Sequence, residues 1–218
     1  MNNLNVIYED NHIIVVEKPA NIPSQQDKTE DEDMLSIVKK YLKDKYDKKG
    51  NVYLGLVHRL DRPTGGIMVF AKTSKAASRL SEEIRQGRFI KKYRAIVKGR
   101  LDEKGVMEDY LVKVQKLNKS FVTTKEQKNA KLGILKYETI KYNEKKDRTL
   151  VDIELITGRH HQIRVQFSSR NHPLISDAKY YKPSKESLRL YSYYLKFKHP
   201  VKDEIMEFQY IPDEYMNI

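Results

Sequence analysis

Between residues 90 and 156 the chain is written in steps of two, and no other feature limits its fold as strongly. In FIKKYRAIVKG, Tyr93, Ala95 and Val97 alternate with Arg94, Ile96 and Lys98; in RTLVDIELITG, Val151, Ile153 and Leu155 face one way while Asp152 and Glu154 face the other. Successive side chains of a strand leave on opposite sides, so both runs are expected to be strands, the second with one wet face. The stretches DYLVKV, SFVTT and GILKYETI alternate as well, separated by lysine-laden turns such as KYNEKKDR. This segment predicts an antiparallel sheet with exposed basic loops.

Outside it, residues 4–8 and 12–17 are short β-rich runs split by Glu9, Asp10 and Asn11, which predicts a hairpin or paired strands. GIMVFAK reads as a buried strand, and RLYSYYLKFKHP and EIMEFQY as two more. From Asp33 the period changes: Leu35, Val38, Tyr41, Leu42 and Tyr46 fall near helical spacing, with Gly50 as a stop. A second helix is expected from a Ser74 cap through Ala77, Leu80 and Ile84 to Gly87. After a Thr157-Gly158 turn, RHHQIRVQFSSRN reads as a short helix with Ile163 and Phe167 inward. No repeat, low-complexity segment or Gly/Ser-rich linker interrupts the chain, so residues 1–218 are expected to form a single mixed α+β domain.

Such a length can bury a core without disulfides or structural metal. The chain has no cysteine, which removes disulfides, thiolate nucleophiles and cysteine-based zinc sites and implies a reducing, cytosolic setting. Its first residues, MNNLNVIYEDNHIIVVEKP, lack a basic lead, and no apolar stretch reaches membrane-spanning length, so a soluble, unexported cytoplasmic protein is expected. Forty-two Lys and Arg against 30 Asp and Glu give a net charge of +12, a field that attracts a polyanion. A/T-rich codons enrich lysine but do not suppress acids, which favours a nucleic-acid partner.

Chemistry concentrates in HRLDRPTGG, residues 58–66. In an extended segment Arg59 and Asp61 project together while His58 and Leu60 project oppositely. Apolar flanks imply partial burial, and Gly65 and Gly66 permit close approach by another group. In a chain that mostly chooses lysine, arginine stands at 59, 62, 159 and 164, where a planar fork can grip carboxylate, phosphate or base edges. His160, His161 and His172 do not suggest a metal: adjacent histidines on a helix point apart, and no HxxxH spacing supports them. Tyr93, one of 15 tyrosines, reads by itself as a core residue.

Taken together, HRLDRPTGG at 58–66, KKYRAIVKG at 91–99, TGRHHQIRVQF at 157–167, NHPLISDAKY at 171–180 and LYSYYLKFKHP at 190–200 resemble the RluA-type pseudouridine synthases. The order and spacing hold from VEKPANIP to FKHP, nearly the whole chain. The resemblance implies a pseudouridine synthase fold, a mixed and mostly antiparallel sheet with flanking helices and a central basic cleft. It implies a stand-alone catalytic domain, without the S4-like RNA-binding domain of many relatives.

By the same resemblance the activity is isomerisation of uridine in tRNA or rRNA, breaking the N1–C1′ bond and rejoining the ring through C5. Asp61 matches the catalytic aspartate, Tyr93 the active-site tyrosine, and Arg164 the basic residue of H-Q-I-R, expected to hold Asp61 ionised and oriented. Arg59 matches the arginine that fills the space left by the flipped nucleotide, while Thr64 and Leu190 fall at substrate-binding positions. No cofactor and no metal are expected, and the protein is expected to act as a monomer away from membranes. The pattern departs from the family at Gly65, His160, Gln166 and at Tyr191-Ser192. Two rival readings are a catalytically lapsed module that only holds or chaperones RNA, and a hydrolase or phosphoesterase built on the His58/Asp61 quartet.

Overall fold

The computed structural model describes residues 4–182 and 185–218. Met1–Asn3, part of the amino-terminal stretch read above, therefore lie outside the described residues. In chain order the elements are β1 Val6–Glu9, β2 Ile13–Lys18, α1 Met34–Lys45, β3 Gly55–Leu56, β4 Gly65–Ala71, α2 Ser74–Arg85 and β5 Ile90–Lys98. There follow β6 Lys104–Val114, β7 Lys119–Thr123, β8 Lys131–Asn143, β9 Arg148–Leu155, α3 Gln162–Ser168, β10 Leu190–Lys198 and β11 Ile205–Gln209. Two compact units emerge, Met1–Phe89 with Tyr194–Tyr210, and Ile90–Tyr193 with Ile211–Ile218.

In the first unit β1 and β2 form the expected hairpin, and β4 lies antiparallel to β2 with Val15 opposite Val69. β10 pairs with β11 from Tyr194–Gln209 to Lys198–Ile205. Every residue of β4 is buried, as are Ile13, Ile14, Val15 and Val16 of β2, which is why both read as unbroken apolar runs rather than alternating ones. One cluster unites Ile13, Val15, Ile67, Val69 and Ala71 with Ala76 and Leu80 of α2 and Leu195 and Phe197 of β10.

α1 starts where its cap lies: the Asp33 carboxylate accepts from the Ser36 N–H at 3.2 Å. Met34, Val38 and Leu42, at four-residue spacing, are its buried stripe, whereas Tyr46 ends outside the helix and 48% exposed. The cap of α2 is Thr73 rather than Ser74, its hydroxyl accepting from the Ala76 N–H at 3.2 Å. Gly87, at φ 68°, takes the left-handed turn that stops this helix.

The turn between β1 and β2 is held by half-buried acids. Glu9 accepts from Lys72 (2.7 Å), Lys45 (2.8 Å) and Tyr46 (2.7 Å), with its side chain 6% exposed. Burial by itself raises this carboxyl, but the three donors outweigh it and hold the group down at about 2. Asp10 is likewise held at about 2: against the burial that raises it stand the N–H groups of His12 and Ile13 and the His199 ring. A carboxyl depressed in the fold contributes stability that is complete above its unfolded pKa and drains away as pH falls through the folded one. Acid titration followed by circular dichroism should therefore show stability declining between about pH 5 and pH 2. Glu9→Gln should lower the neutral-pH stability by on the order of 1 kcal/mol, because water screens the half-exposed Lys45, and flatten that decline.

In the second unit the strands follow the order β5-β9-β8-β6-β7, every pair antiparallel. The alternation in β9 is realised: Val151, Ile153 and Leu155 are buried while Asp152 and Glu154 are half-buried. A bulge between Thr139 and Lys141 shifts the β8 register against β9. α3 is shorter than expected. Arg159, His160 and His161 stay outside it, because His161 sits in the left-handed region at φ 54°, and helical geometry begins only at Gln162. Ile163 and Phe167 do point inward, but so does the whole run from Gln162 to Phe167. Gln166 explains part of this: its Nε2 donates to Asp109 Oδ2 (2.7 Å) and to the carbonyls of Gly133 (3.2 Å) and Met107 (3.3 Å), tying α3 to β8 and β6.

Candidate active site

In the first unit the candidate residues sit on the extended segment 57–64, which joins no strand and must satisfy its backbone groups by other means. Ser24 does so at Leu60, its hydroxyl donating to the carbonyl (2.8 Å) and accepting from the N–H (3.1 Å). Arg62 offers its carbonyl to the Asn21 N–H (2.8 Å) and to the Lys18 ammonium (3.0 Å). The Thr64 N–H closes a turn onto the Asp61 carbonyl at 2.9 Å. Gly66, at φ 142°, then enters β4 in a conformation that few other residues adopt.

Side chains of this segment alternate as expected. His58 and Leu60 are buried, Arg59 is exposed and Asp61 half-buried, so the arginine and the carboxylate share the accessible side. Arg59 makes no hydrogen bond or ion pair among the described residues, leaving its guanidinium available to a ligand. His58 is a structural ring: its Nε2 accepts the Val69 N–H at 3.1 Å and it packs on Phe89 at 5.5 Å. That use removes it as the base of a hydrolase quartet. Arg62, counted with the recognition arginines, instead clasps Asp31 (2.5 Å) and Asp27 (2.9 Å) together with Thr29. Thr64 is buried, with its hydroxyl making no hydrogen bond.

Lys18, one residue past the expected strand 12–17, is not among the expected site residues. It is fully buried, its Nζ donating to the carbonyls of Pro19 (2.9 Å) and Arg62 (3.0 Å), directly beneath the segment that carries Asp61. Burial pushes the ammonium down to about 7; the charge of Asp61 opposes that shift and Arg62 adds to it. In the sequence this lysine stands only as the second of two charged residues after the apolar run Ile13–Val16.

The second unit holds Tyr93, Arg164 and Leu190. Tyr93 lies on β5 opposite Ile153 and is 5% exposed. Leu190 opens β10 and is buried. Arg164, on α3, is 3% exposed and bound by Asp177 through two parallel hydrogen bonds, Nε to Oδ2 at 2.8 Å and Nη2 to Oδ1 at 2.7 Å. Asp177 Oδ1 also accepts the N–H groups of Lys179 (3.0 Å) and Tyr180 (3.2 Å), so one carboxylate shapes its own turn and aims the guanidinium. The Tyr180 ring lies 5.3 Å from the same guanidinium. Asp177 and Tyr180 both belong to NHPLISDAKY, quoted above for its resemblance alone.

The histidine pair differs from its expected arrangement. Rather than diverging on a helix, His160 and His161 stack with ring centroids 3.8 Å apart. His160 Nδ1 is 2.8 Å from Ser120 Oγ and His161 Nδ1 is 2.9 Å from Tyr180 Oη, so each ring already has a hydroxyl partner. Burial, and then the charges of Arg164, His160 and Lys179, push His161 down to about 2, and it is neutral at physiological pH. Among the described residues no group of three or more His, Cys, Asp or Glu is placed to hold a metal. Two departures from the family pattern are absorbed by packing: Gln166 ties α3 to the sheet, and the Tyr191 ring lies 4.7 Å from that of Tyr215.

Comparison with known proteins agrees with the motifs. A family profile described as RNA pseudouridylate synthase matches residues 12–169. An uncharacterised RNA pseudouridine synthase of Aquifex aeolicus is 34% identical over 94% of this chain and 68% of that protein. Ribosomal large subunit pseudouridine synthase C of Buchnera aphidicola is 34% identical over 80% of this chain, and the match spans 53% of its own length. Among solved structures, human RNA pseudouridylate synthase domain containing 4 superposes with a TM-score of 0.81 over 97% of this chain and 90% of that one. Its sequence identity is 21%, so this likeness concerns the fold, a mixed α+β architecture with a mostly antiparallel sheet.

Proposed function

Since the chain belongs to the RNA pseudouridylate synthase family, we propose that it isomerises specific uridines of structured RNA, tRNA or rRNA, to pseudouridine. One observation carries the proposal: Asp61 in HRLD, Tyr93 in KKY and Arg164 in HQIR stand together in one chain in the family's order. The net charge of +12, with Lys113, Lys116, Lys125 and Lys128 exposed around the β6–β7 hairpin, supports a polyanionic substrate.

A uridine within a stack is out of reach, so the enzyme extrudes it at a cost of about a few kcal/mol. Arg59, exposed and without a partner among the described residues, takes the space the nucleotide leaves. The Asp61 carboxylate attacks C1′ or removes the C2′ proton, and the N1–C1′ bond breaks. The uracil then turns and bonds to C1′ through C5, which expels the carboxylate from C1′ or is matched by return of the proton to C2′; the C5 proton leaves and N1 takes one up. Tyr93 stacks on the base and moves a proton through its hydroxyl. Arg164, held by Asp177, supplies the fixed positive charge, and Thr64 and Leu190 shape the substrate site. Both units act as a single catalytic domain, in the cytoplasm, as a monomer without metal or cofactor. Among the described residues no helix is long and apolar enough to cross a membrane.

The reading is tested by mapping pseudouridines in total RNA from cells with and without this gene, then offering the purified protein the unmodified transcripts. At least one uridine should depend on the gene and be converted in vitro. Identical maps together with no conversion would overturn the proposal. Tyr93→Phe separates stacking from proton transfer: RNA affinity should stay within about threefold while turnover falls at least about a hundredfold. Full turnover in that variant would remove the hydroxyl from the mechanism.

A further inference from the structure

Lys91 opens KKYRAIVKG, and the proposed reaction gives it no part. It lies on β5 two residues before Tyr93, so the two side chains leave the same face of the strand with their Cα atoms about 7 Å apart. Lys92, by contrast, is on the opposite face and stands across from Glu154. The ammonium of Lys91 reaches the turn before α3: its Nζ is 3.5 Å from where a Cβ on Gly158 would stand. The residue is half-buried, and among the described residues it makes no hydrogen bond or ion pair. Burial pushes it below the ordinary lysine range, and no acid nearby offsets the shift. Taking an ammonium out of water without a partner is costly, and a methionine would fill the same space without that cost. The position makes sense when an anion arrives.

We propose that Lys91 is a substrate-anchoring residue whose ammonium binds a backbone phosphate of the RNA beside the uridine that Tyr93 receives. This rests on the reading of Tyr93 as the residue that stacks on the base. A compact point charge on a flexible stem suits a phosphate oxygen, and a phosphate next to the target base lies within one nucleotide's reach of it. The contact would fix the register of the strand without reading its sequence.

The test measures RNA binding by filter retention, with total RNA from cells lacking this gene as the probe, from about 50 to 300 mM KCl. Lys91→Met should weaken binding about five- to tenfold at low salt and reduce the slope of log affinity against log salt by about 0.7 to 0.9, the signature of one lost phosphate contact. Lys91→Arg should keep the wild-type slope. Should Lys91→Met not fold, Lys91→Gln carries the same measurement. An unchanged slope in the neutral variant, or the same loss in Lys91→Arg, overturns the assignment. The two readings fail separately. A wild-type protein that converts no uridine ends the catalytic one while the salt slope still decides Lys91, and full conversion with an unaltered slope removes Lys91 alone.

Discussion

Asp61→Asn should lower pseudouridine formation at least about a thousandfold while RNA affinity stays within about twofold. The substitution keeps the shape of the side chain and removes only its charge and nucleophilicity. What holds the surrounding segment is backbone and neighbouring side chains: Ser24 on Leu60, Lys18 and Asn21 on the Arg62 carbonyl, and the Thr64 N–H on the Asp61 carbonyl. None of these is a hydrogen bond to the carboxylate, so the segment should keep its form. Because the ring is rejoined through C5, the C5–H bond must break, and release of tritium from RNA labelled at C5 of uridine reports the chemistry directly. A variant retaining more than about a tenth of the wild-type rate would remove Asp61 from the mechanism. A lapsed RNA-binding module predicts another pattern, in which wild type and variant bind alike and neither releases tritium.

Asp177→Asn should be severe in a different way. Arg164 is 3% exposed and Asp177 1%, so the variant leaves a buried guanidinium facing an amide that cannot accept both its N–H groups as a carboxylate does. Breaking a buried pair from one side costs about 3 to 5 kcal/mol, which for a chain of this size lowers the melting temperature by roughly 10 °C. Turnover should fall with it, since the guanidinium loses the two bonds that aim it. The double variant Arg164→Met, Asp177→Asn distinguishes the two effects. With the guanidinium removed, the melting temperature should recover most of the loss, but turnover should not return. Recovery of both would make Arg164 a structural residue; recovery of neither would mean that the pair is not the source of the instability.

Elements whose signal is local were legible in the chain. The alternation in β5 and β9, the lysine-rich turns of β6 to β8 and the four-residue spacing of α1 each express the geometry of the element that carries them. Boundaries were less legible. Thr73 and Ser74 are both good caps, and only the hydrogen bond to the Ala76 N–H distinguishes them. The short α3 reads as longer in sequence because His161 can sit in the left-handed region at φ 54°, and nothing in its neighbours announces that. For the candidate site, Arg59 and Asp61 could be placed on one side of their segment by counting. The burial of Lys18, the clasp of Arg62 on Asp27 and Asp31, and the hold of Asp177 on Arg164 could not.

The sequence by itself determined the family and which elements present the candidate residues, because motif order and side-chain period are properties of the chain read in one direction. Tertiary structure alone decided what each charge meets. Lys18 and Arg62 are 44 positions apart, and Arg164 and Asp177 are 13 apart. Whether a guanidinium becomes a surface clasp or a buried, aimed cation depends on the partner that folding brings to it and on the water that burial removes, and neither is written in local spacing.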